Sequence, residues 1–294
     1  MGIVRDETVL VTGSEGFIGR HVVTALRKSG YTVYEFDRRD GDIATAELSY
    51  DRPDHIIHLA SMVYVPLSWE NPYPFYRTNV LGTINVLELC RKTGCRLTYI
   101  SSYIYGTPQY LPVDEKHPVD PASPYNHSKF MAEEACRFYA RIFNVPVVIF
   151  RPVNIYGPGQ HPDFLIPFII SQITDPATKQ VEVKDLKPRR DYLFIDDFTD
   201  ALLRSFTLDG FHIFNLGSGI SVSVEEIICT VMKQSGISKE YHSTGQERTH
   251  EIWDVFADIR KFSEETGWKP VVSFEEGIRK ILASGSFNPP MSSL

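Results

Sequence analysis

Four cysteines stand in 294 residues, at positions 90, 95, 136 and 229, and none is spaced C-x-x-C. That scatter argues against both a zinc site and a disulfide framework. Long apolar runs are missing as well, since no stretch approaches the ~18 residues that a membrane-spanning helix needs. Nor is there a basic excess. With 30 Lys and Arg against 37 Asp and Glu, the net charge is -7, which leaves no surplus of cations to neutralise a nucleic-acid backbone. No stripe of basic and aromatic residues suggests an RNA partner either. The opening stretch from Met1 to Glu7 carries acids where a secretory leader is apolar. Internal repeats and low-complexity tracts are absent too. The expectation is a cytoplasmic chain with no metal, no nucleic-acid partner and no membrane span.

What is present is ordinary in amount and regular in order. Apolar residues make up 43% and charged residues 23%, the balance of a globular protein, and a chain this long can bury a large core. The first half alternates strand-like and helix-like segments. Residues 8–11, 31–36, 55–59, 97–100 and 145–150 read as strands, and 16–28, 80–92 and 124–143 carry apolar positions at helical spacing. Ser123 is placed to cap the last of these helices, with Pro124 in its first turn. Such alternation predicts an α/β fold with a parallel sheet covered on both faces. After Arg151-Pro152 the texture changes, as Pro158, Pro162, Pro167, Pro176 and Pro188 break the chain into short pieces. A core-like run at 192–195, a helix over 198–207 and a strand at 212–216 follow. This predicts a nucleotide-binding unit of residues 1–152 plus about 190–216, and a smaller discontinuous unit of about 153–189 plus 217–294.

Gly13, Gly16 and Gly19 form a G-x-x-G-x-x-G turn between the first strand and the first helix. Glycines there allow a tight turn, and backbone N–H groups can approach a pyrophosphate at the helix N-terminus. A glycine pattern alone is weak, but its place between strand and helix points to a dinucleotide. The second strand ends at Asp37, about 20 residues further on, where an acid can hold the adenosine ribose. Its charge repels the 2′-phosphate of NADP and favours NAD, whereas Arg38 and Arg39 beside it would tolerate that phosphate.

Tyr125 and Lys129 are four residues apart at the start of a predicted helix and so share a face. A phenol titrates near 10, so it is a poor base at neutral pH unless a neighbouring cation favours the phenolate. Lys129 and a positive nicotinamide ring would supply that charge, and the phenolate could then take a proton from a hydroxyl as hydride leaves the same carbon. Alone, the pair reads equally well as a helix-surface contact. Ser101 and Ser102 end the fourth strand, at the sheet edge where open α/β folds bind ligands. A hydroxyl there can donate to an oxygen that is becoming a ketone.

Together these residues resemble the extended short-chain dehydrogenase/reductase superfamily, in particular its NAD-dependent nucleotide-sugar epimerase/dehydratase group. The resemblance spans nearly the whole chain. It runs through the glycine turn, His58-Leu59-Ala60-Ser61, Asn79-Val80-Leu81-Gly82-Thr83, Ser101 to Gly106, Tyr125-x-x-x-Lys129 and Arg151-Pro152-Val153-Asn154-Ile155-Tyr156-Gly157-Pro158. Late matches are Arg190-Asp191-Tyr192, Asn215-Leu216-Gly217-Ser218-Gly219 and Gly267-Trp268-Lys269-Pro270. It implies a Rossmann-type doubly wound sheet holding NAD, with a smaller α/β substrate domain. The implied cofactor contacts are Gly13, Gly16, Phe17, Ile18, Gly19, Asp37, Arg38, Asp42, Ile43, Leu59, Ala60, Ser61, Asn79, Tyr125, Lys129 and Pro152. Tyr125 would be the base, Lys129 its electrostatic partner and ribose ligand, and Ser101 the polarising hydroxyl. Asn154, Arg190 and Arg248 resemble contacts to a nucleotide diphosphate, and Glu251 an acid on the substrate's ribose. The implied partner is a nucleotide-diphosphate sugar, and the implied assembly a homodimer through the helices at 80–92 and 124–143.

The departures narrow the chemistry. Dehydratases of this group carry an Asp-Glu pair after the catalytic hydroxyl, where this chain has Ser102 and Tyr103, and the related decarboxylases favour Glu at the position of Tyr103. Elimination is therefore disfavoured, which leaves 4-epimerisation, 4-keto reduction with NAD(P)H, or a non-enzymatic nucleotide-binding sensor. Asp37 favours the first. Val255 stands where the group places a bulky side chain when the sugar pocket is narrow, so the pocket is expected to admit 2-acetamido sugars as well as plain hexoses.

Overall fold

The computed structural model describes residues 7–50, 52–246 and 252–285. The chain opens with β1 (Thr8–Thr12), α1 (Phe17–Lys28), β2 (Thr32–Phe36) and β3 (His55–His58). Two short helices, α2 (Val65–Glu70) and α3 (Tyr73–Tyr76), lead to a π-helical turn over Arg77–Leu81 that continues into α4 (Gly82–Thr93). Then come β4 (Arg96–Ile100), α5 (Pro124–Phe143), β5 (Val147–Pro152), β6 (Asn154–Tyr156) and α6 (Leu165–Thr174). These are followed by β7 (Gln180–Val183), β8 (Arg189–Phe194), α7 (Ile195–Ser205) and β9 (Phe211–Leu216). The last described elements are β10 (Ser221–Ser223), α8 (Val224–Ser235), β11 (Glu240–Ser243), α9 (Arg260–Thr266) and α10 (Phe274–Ser284).

Six strands form one parallel sheet in the order β2-β1-β3-β4-β5-β9. Their side chains alternate between its two faces, and both faces are covered. Val9 and Val11 of β1 face one side, in a core with Val22 and Leu26 of α1 and Phe198 and Leu202 of α7. Leu10 faces the other, packed with Val86 and Cys90 of α4 and Ala132 and Cys136 of α5. The expected doubly wound α/β architecture is therefore present. From β1 the chain turns to β2 on one side, then returns to β3 on the other. The strand order thus reverses between β1 and β3, and the crevice outside the carboxyl ends at such a switch point is where open sheets take a ligand.

Two smaller sheets lie apart from this one: β10-β8-β6, and β11 paired with β7. The core-like run expected at 192–195 falls mostly in β8, which pairs with β6 and β10 rather than with the six strands. Among the described residues no helix is long and apolar enough to cross a membrane.

Helix α5 has the predicted bounds for a local reason. The Ser123 hydroxyl accepts the Asn126 N–H at 3.1 Å, Pro124 opens the first turn, and Asn144 closes the helix at φ 55°. The Val145 N–H is taken by the Tyr139 carbonyl, so β5 starts at Val147 and not at 145.

Arg151 of β5 and Glu133 of α5, 3% and 1% exposed, form a buried ion pair at 2.6 Å. Arg151 Nε also reaches both carboxylate oxygens, and its Nη1 donates to the Tyr105 hydroxyl at 2.9 Å. That hydroxyl in turn donates to Asn215 Oδ1 at 2.7 Å, which ties α5, β5, the chain after β4, and β9 together. Removing one partner strands a charge in a dry interior. Arg151→Leu is expected to lower unfolding free energy by about 3–5 kcal/mol, read by urea denaturation at neutral pH.

Candidate active site

The glycine turn is built by contact. Gly13 has φ +73°, and a Cβ on it would lie 2.7 Å from the Ala60 backbone nitrogen; one on Gly19 would lie 2.1 Å from the Gly13 carbonyl oxygen. The turn can therefore bring β1 and the chain after β3 together only with glycines. Helix α1 begins at N-cap Gly16 with no side-chain cap and no acid in its first turn. Its leading N–H groups face the crevice without a side-chain acceptor, a setting that suits a pyrophosphate. Phe17 and Ile18 in that first turn are half-buried against the core.

Asp37 directly follows β2. One carboxylate oxygen accepts the Glu15 N–H at 2.9 Å and the other accepts the Arg38 N–H at 2.6 Å, which fixes the group at the mouth of the glycine turn. Arg38 and Arg39 are exposed, and Arg39 pairs with Glu15 at 2.8 Å. Asp42 is ion-paired with Arg77 at 2.6 Å, while Ile43 is buried. Leu59, Ala60 and Ser61 line the chain leaving β3 and are half-buried. Asn79, within the π-helical turn, is buried and its amide is fully used inside the protein. Its oxygen accepts from Ser61 Oγ and the Met62 N–H, and its nitrogen donates to the Met62 carbonyl and to Ser128 Oγ. It shapes the floor of the crevice by clamping that chain to α5. Pro152, the last residue of β5, is buried.

Tyr125 sits in the first turn of α5, with its ring edge-on to Phe75. Burial pushes its phenol above the ordinary value, and the hydroxyl of Ser102 beside it works in the opposite direction. Lys129 is one turn further on, 3% exposed. Its Nζ donates to the Ile100 carbonyl at 2.6 Å and lies 4.8 Å from the Tyr99 ring centroid. Burial lowers the ammonium to about 7, opposed by the carboxylate of Glu133. Ser101, directly after β4, is a buried hydroxyl with no hydrogen-bond partner, a rare condition that points to a role outside the chain's own packing.

Tyr103 is held in place. Its hydroxyl donates to the Gly106 carbonyl at 2.7 Å, and its own carbonyl accepts from Asn126 Nδ2 at 2.7 Å. Burial raises its phenol. Asn154 is exposed and donates to the Asp191 carbonyl. Arg190 is half-buried, with Nη1 on the Arg189 and Ile252 carbonyls. Val255 is buried with Tyr105 and Val113, and Tyr103 packs on that cluster. Arg248 and Glu251 lie outside the described residues.

Sequence reasoning assigned no role to Asp191. Its buried carboxylate accepts from Ser218 N and Oγ at 2.7 and 2.6 Å, from Gly219 N at 3.0 Å and from Ala257 N at 3.1 Å. It thereby gathers the loop after β9 and the strand-like segment at 255–257 beside Arg190. The signal was available in Arg190-Asp191-Tyr192 and Gly217-Ser218-Gly219, because a Cβ on Gly217 would lie 2.3 Å from an Asp191 oxygen.

Residues 9–217 match the profile of the family described as "NAD dependent epimerase/dehydratase family". A UDP-glucose 4-epimerase of Mycolicibacterium smegmatis is 31% identical, over 93% of this chain and 96% of its own. A GDP-6-deoxy-D-mannose reductase of Pseudomonas aeruginosa is 28% identical, over 94% and 96%. The solved structure of MoeE5 in complex with UDP-glucose and NAD superposes with a TM-score of 0.86 at 31% identity, covering 94% of this chain and 97% of that one.

The buried lysine gives a pH signature. In the unfolded chain Lys129 returns to the ordinary value of 10.5, against about 7 when folded. Between those values the unfolded chain holds a proton that the folded one lacks, so this residue makes stability rise with pH. Below about 7 both states are protonated and the cost of burial is present in full. Lys129→Met is expected to raise the melting temperature of the nucleotide-free protein at pH 7, with the advantage shrinking toward pH 10, read by thermal melts across that range.

Proposed function

Because the chain belongs to the NAD-dependent epimerase/dehydratase family, we propose that it is an NAD-dependent epimerase of a nucleotide-activated sugar, acting at C4 through a transient 4-keto sugar. The observation that carries this reading is the buried, unpartnered Ser101 hydroxyl after β4, next in sequence to the Ser102 that faces the Tyr125 phenol, with no carboxyl acid at positions 102 and 103. Such a site can move a proton at a hydroxyl but has no acid placed to expel water from the neighbouring carbon.

Bound NAD supplies the hydride acceptor, its positive ring favours the phenolate, and its pyrophosphate fits the uncapped start of α1. Tyr125 takes the proton of the 4-hydroxyl and returns it once the keto sugar has turned over. Ser101 donates to the reacting oxygen as it gains carbonyl character. Lys129, held by the Ile100 carbonyl, would hold the nicotinamide ribose. Asn154, Arg190 and Arg248 serve the diphosphate, where guanidinium forks suit its oxygens, and Glu251 holds the ribose of the substrate. In this reading the six-stranded sheet is the cofactor unit and the smaller sheets form the substrate unit. A uridine diphosphate sugar is the substrate class, by likeness to the UDP-glucose epimerase and to the UDP-glucose complex.

A second reading, 4-keto-sugar reduction, is supported by the reductase relative and by the arginines after Asp37. Assembly as a homodimer is supported by exposed apolar side chains on α5. Met131, Phe138 and Ile142 share one helical face at spacings of seven and four, with Leu81 exposed at the start of neighbouring α4. A cytoplasmic setting is supported by the free thiols Cys90, Cys95, Cys136 and Cys229.

NMR of purified protein with NAD and UDP-glucose is expected to show the C4 epimer without added hydride donor, with kcat reduced roughly 10²–10⁴-fold in Tyr125→Phe. Turnover only of 4-keto sugars with NADH or NADPH would establish the reductase instead. UDP-N-acetylglucosamine is expected to be epimerised as well, and activity confined to the plain hexose would remove the role assigned to Val255.

A further inference from the structure

Two arginines follow Asp37, and the reaction proposed above gives the second, Arg39, no task. Read as sequence, Arg38-Arg39 invites the 2′-phosphate of NADP. In the fold, Arg39 is already engaged by Glu15, the residue inside the glycine turn, with Nη1 2.8 Å from Oε1. The Glu15 backbone N–H donates to Asp37 Oδ2 at 2.9 Å, so the turn and the end of β2 meet at this point. On the proposed function, from which this inference proceeds, Asp37 holds the adenosine ribose. A 2′-substituent then faces the Asp37 carboxylate, the Glu15 side chain and the arginine pair together.

We propose that Glu15 is a determinant of dinucleotide choice: it occupies Arg39 and sets a second carboxylate beside Asp37, so that NAD is accepted and NADP refused.

The local charges show why one residue can decide this. Glu15 and Asp37 are joined by Asp40, whose carboxylate accepts the Asp37 N–H at 2.7 Å. Against these stand Arg38, Arg39 and Arg20, whose Nη1 donates to the Glu15 carbonyl at 3.0 Å. Acids and arginines therefore balance around the turn. A dianionic phosphate enters a neutral neighbourhood with carboxylates foremost. Without the Glu15 charge the same place carries a net positive charge and a released guanidinium, suited to a phosphate. Glu15 is also free to be changed. Its side chain is 43% exposed, the tight approaches of the turn fall on Gly13 and Gly19, and its bond to Asp37 is made by the backbone, which every replacement but proline retains.

Direct binding tests this without turnover, as dissociation constants of NADH and NADPH for the intact protein from reduced-nicotinamide fluorescence. The wild type is expected to bind NADH at least about tenfold more tightly than NADPH. Glu15→Gln is expected to tighten NADPH about tenfold, the scale of removing one repelling charge at a partly exposed site, with NADH held within about twofold. Adding Arg39→Gln to Glu15→Gln is expected to return NADPH to its wild-type weakness, because the released guanidinium is then gone. NADH affinity serves as the folding control, and Glu15→Ser provides a second replacement should Gln disturb the turn. Unchanged NADPH affinity in both replacements, a parallel shift of both nucleotides, or a wild type that prefers NADPH overturns the assignment. A wild type that binds neither nucleotide overturns the functional reading, and the assignment falls with it.

Discussion

A parallel sheet delivers the last residue of every strand to the same edge, and here that edge is divided at one place, between β1 and β3. From β1 the chain passes into α1 on one face, while α4 and α5 cover the other. The two turns abut so closely that Gly13 and Ala60 leave no room for a methyl group between them. This contact is the floor on which the crevice rests. Asp37 lies at the end of the strand to one side of it, and Ser101 at the end of a strand to the other. Tyr125 arrives from α5, whose first turn is fixed by Ser123 and whose approach is fixed by Asn79 through Ser128. Move the β1–β3 contact and each of these groups loses its common target.

Beneath the crevice the interior carries more charge than its stability calls for. Glu133, Arg151, Lys129 and Asp191 are all buried, and buried ion pairs are poor stabilisers compared with apolar residues of similar shape. Their value lies in geometry. The Glu133–Arg151 pair reaches through Tyr105 to Asn215 and so fixes the segment that bears Ser101 and Ser102 relative to α5. Lys129 has one strong acceptor, the Ile100 carbonyl, and an aromatic face beneath it. Burial lowers its ionisation in spite of both contacts. His58, buried between Thr12 and Thr83, is held near 3 by burial and by the same lysine. It therefore stays neutral and serves as a hydrogen-bonding spacer between β1 and α4.

Much of this was legible in the sequence because it rests on local rules. Alternating apolar runs gave the strands of the large sheet, and a serine followed by a proline gave the start of α5. Glycine spacing between strand and helix marked the turn, and the acid ending β2 marked its partner. What escaped depends on contacts between distant segments. The π-helical turn at Arg77–Leu81 has the same apolar spacing as the helix it precedes, and its purpose shows only in where it aims Asn79. The run at 192–195 is apolar enough for either sheet, and only its pairing with β6 and β10 decides between them. Asp191 is a plain acid until Ser218, Gly219 and Ala257 close around it.

The pairing of β5 with β9 has a consequence for synthesis on the ribosome. Val147, Val148, Ile149 and Phe150 are fully covered in the finished sheet, and β9 supplies one of their two neighbours. Chains emerge from the N-terminus, so five strands are available before residues 211–216 exist. Throughout that interval the outer rim of the nascent sheet is an unpaired apolar strand, the kind of edge that recruits other chains. The segments made in between form β6, α6, β7, β8 and α7, and no strand among them pairs with β5. The period of greatest exposure to aggregation thus falls late in translation, and a slowing of elongation between codons 152 and 211 would lengthen it.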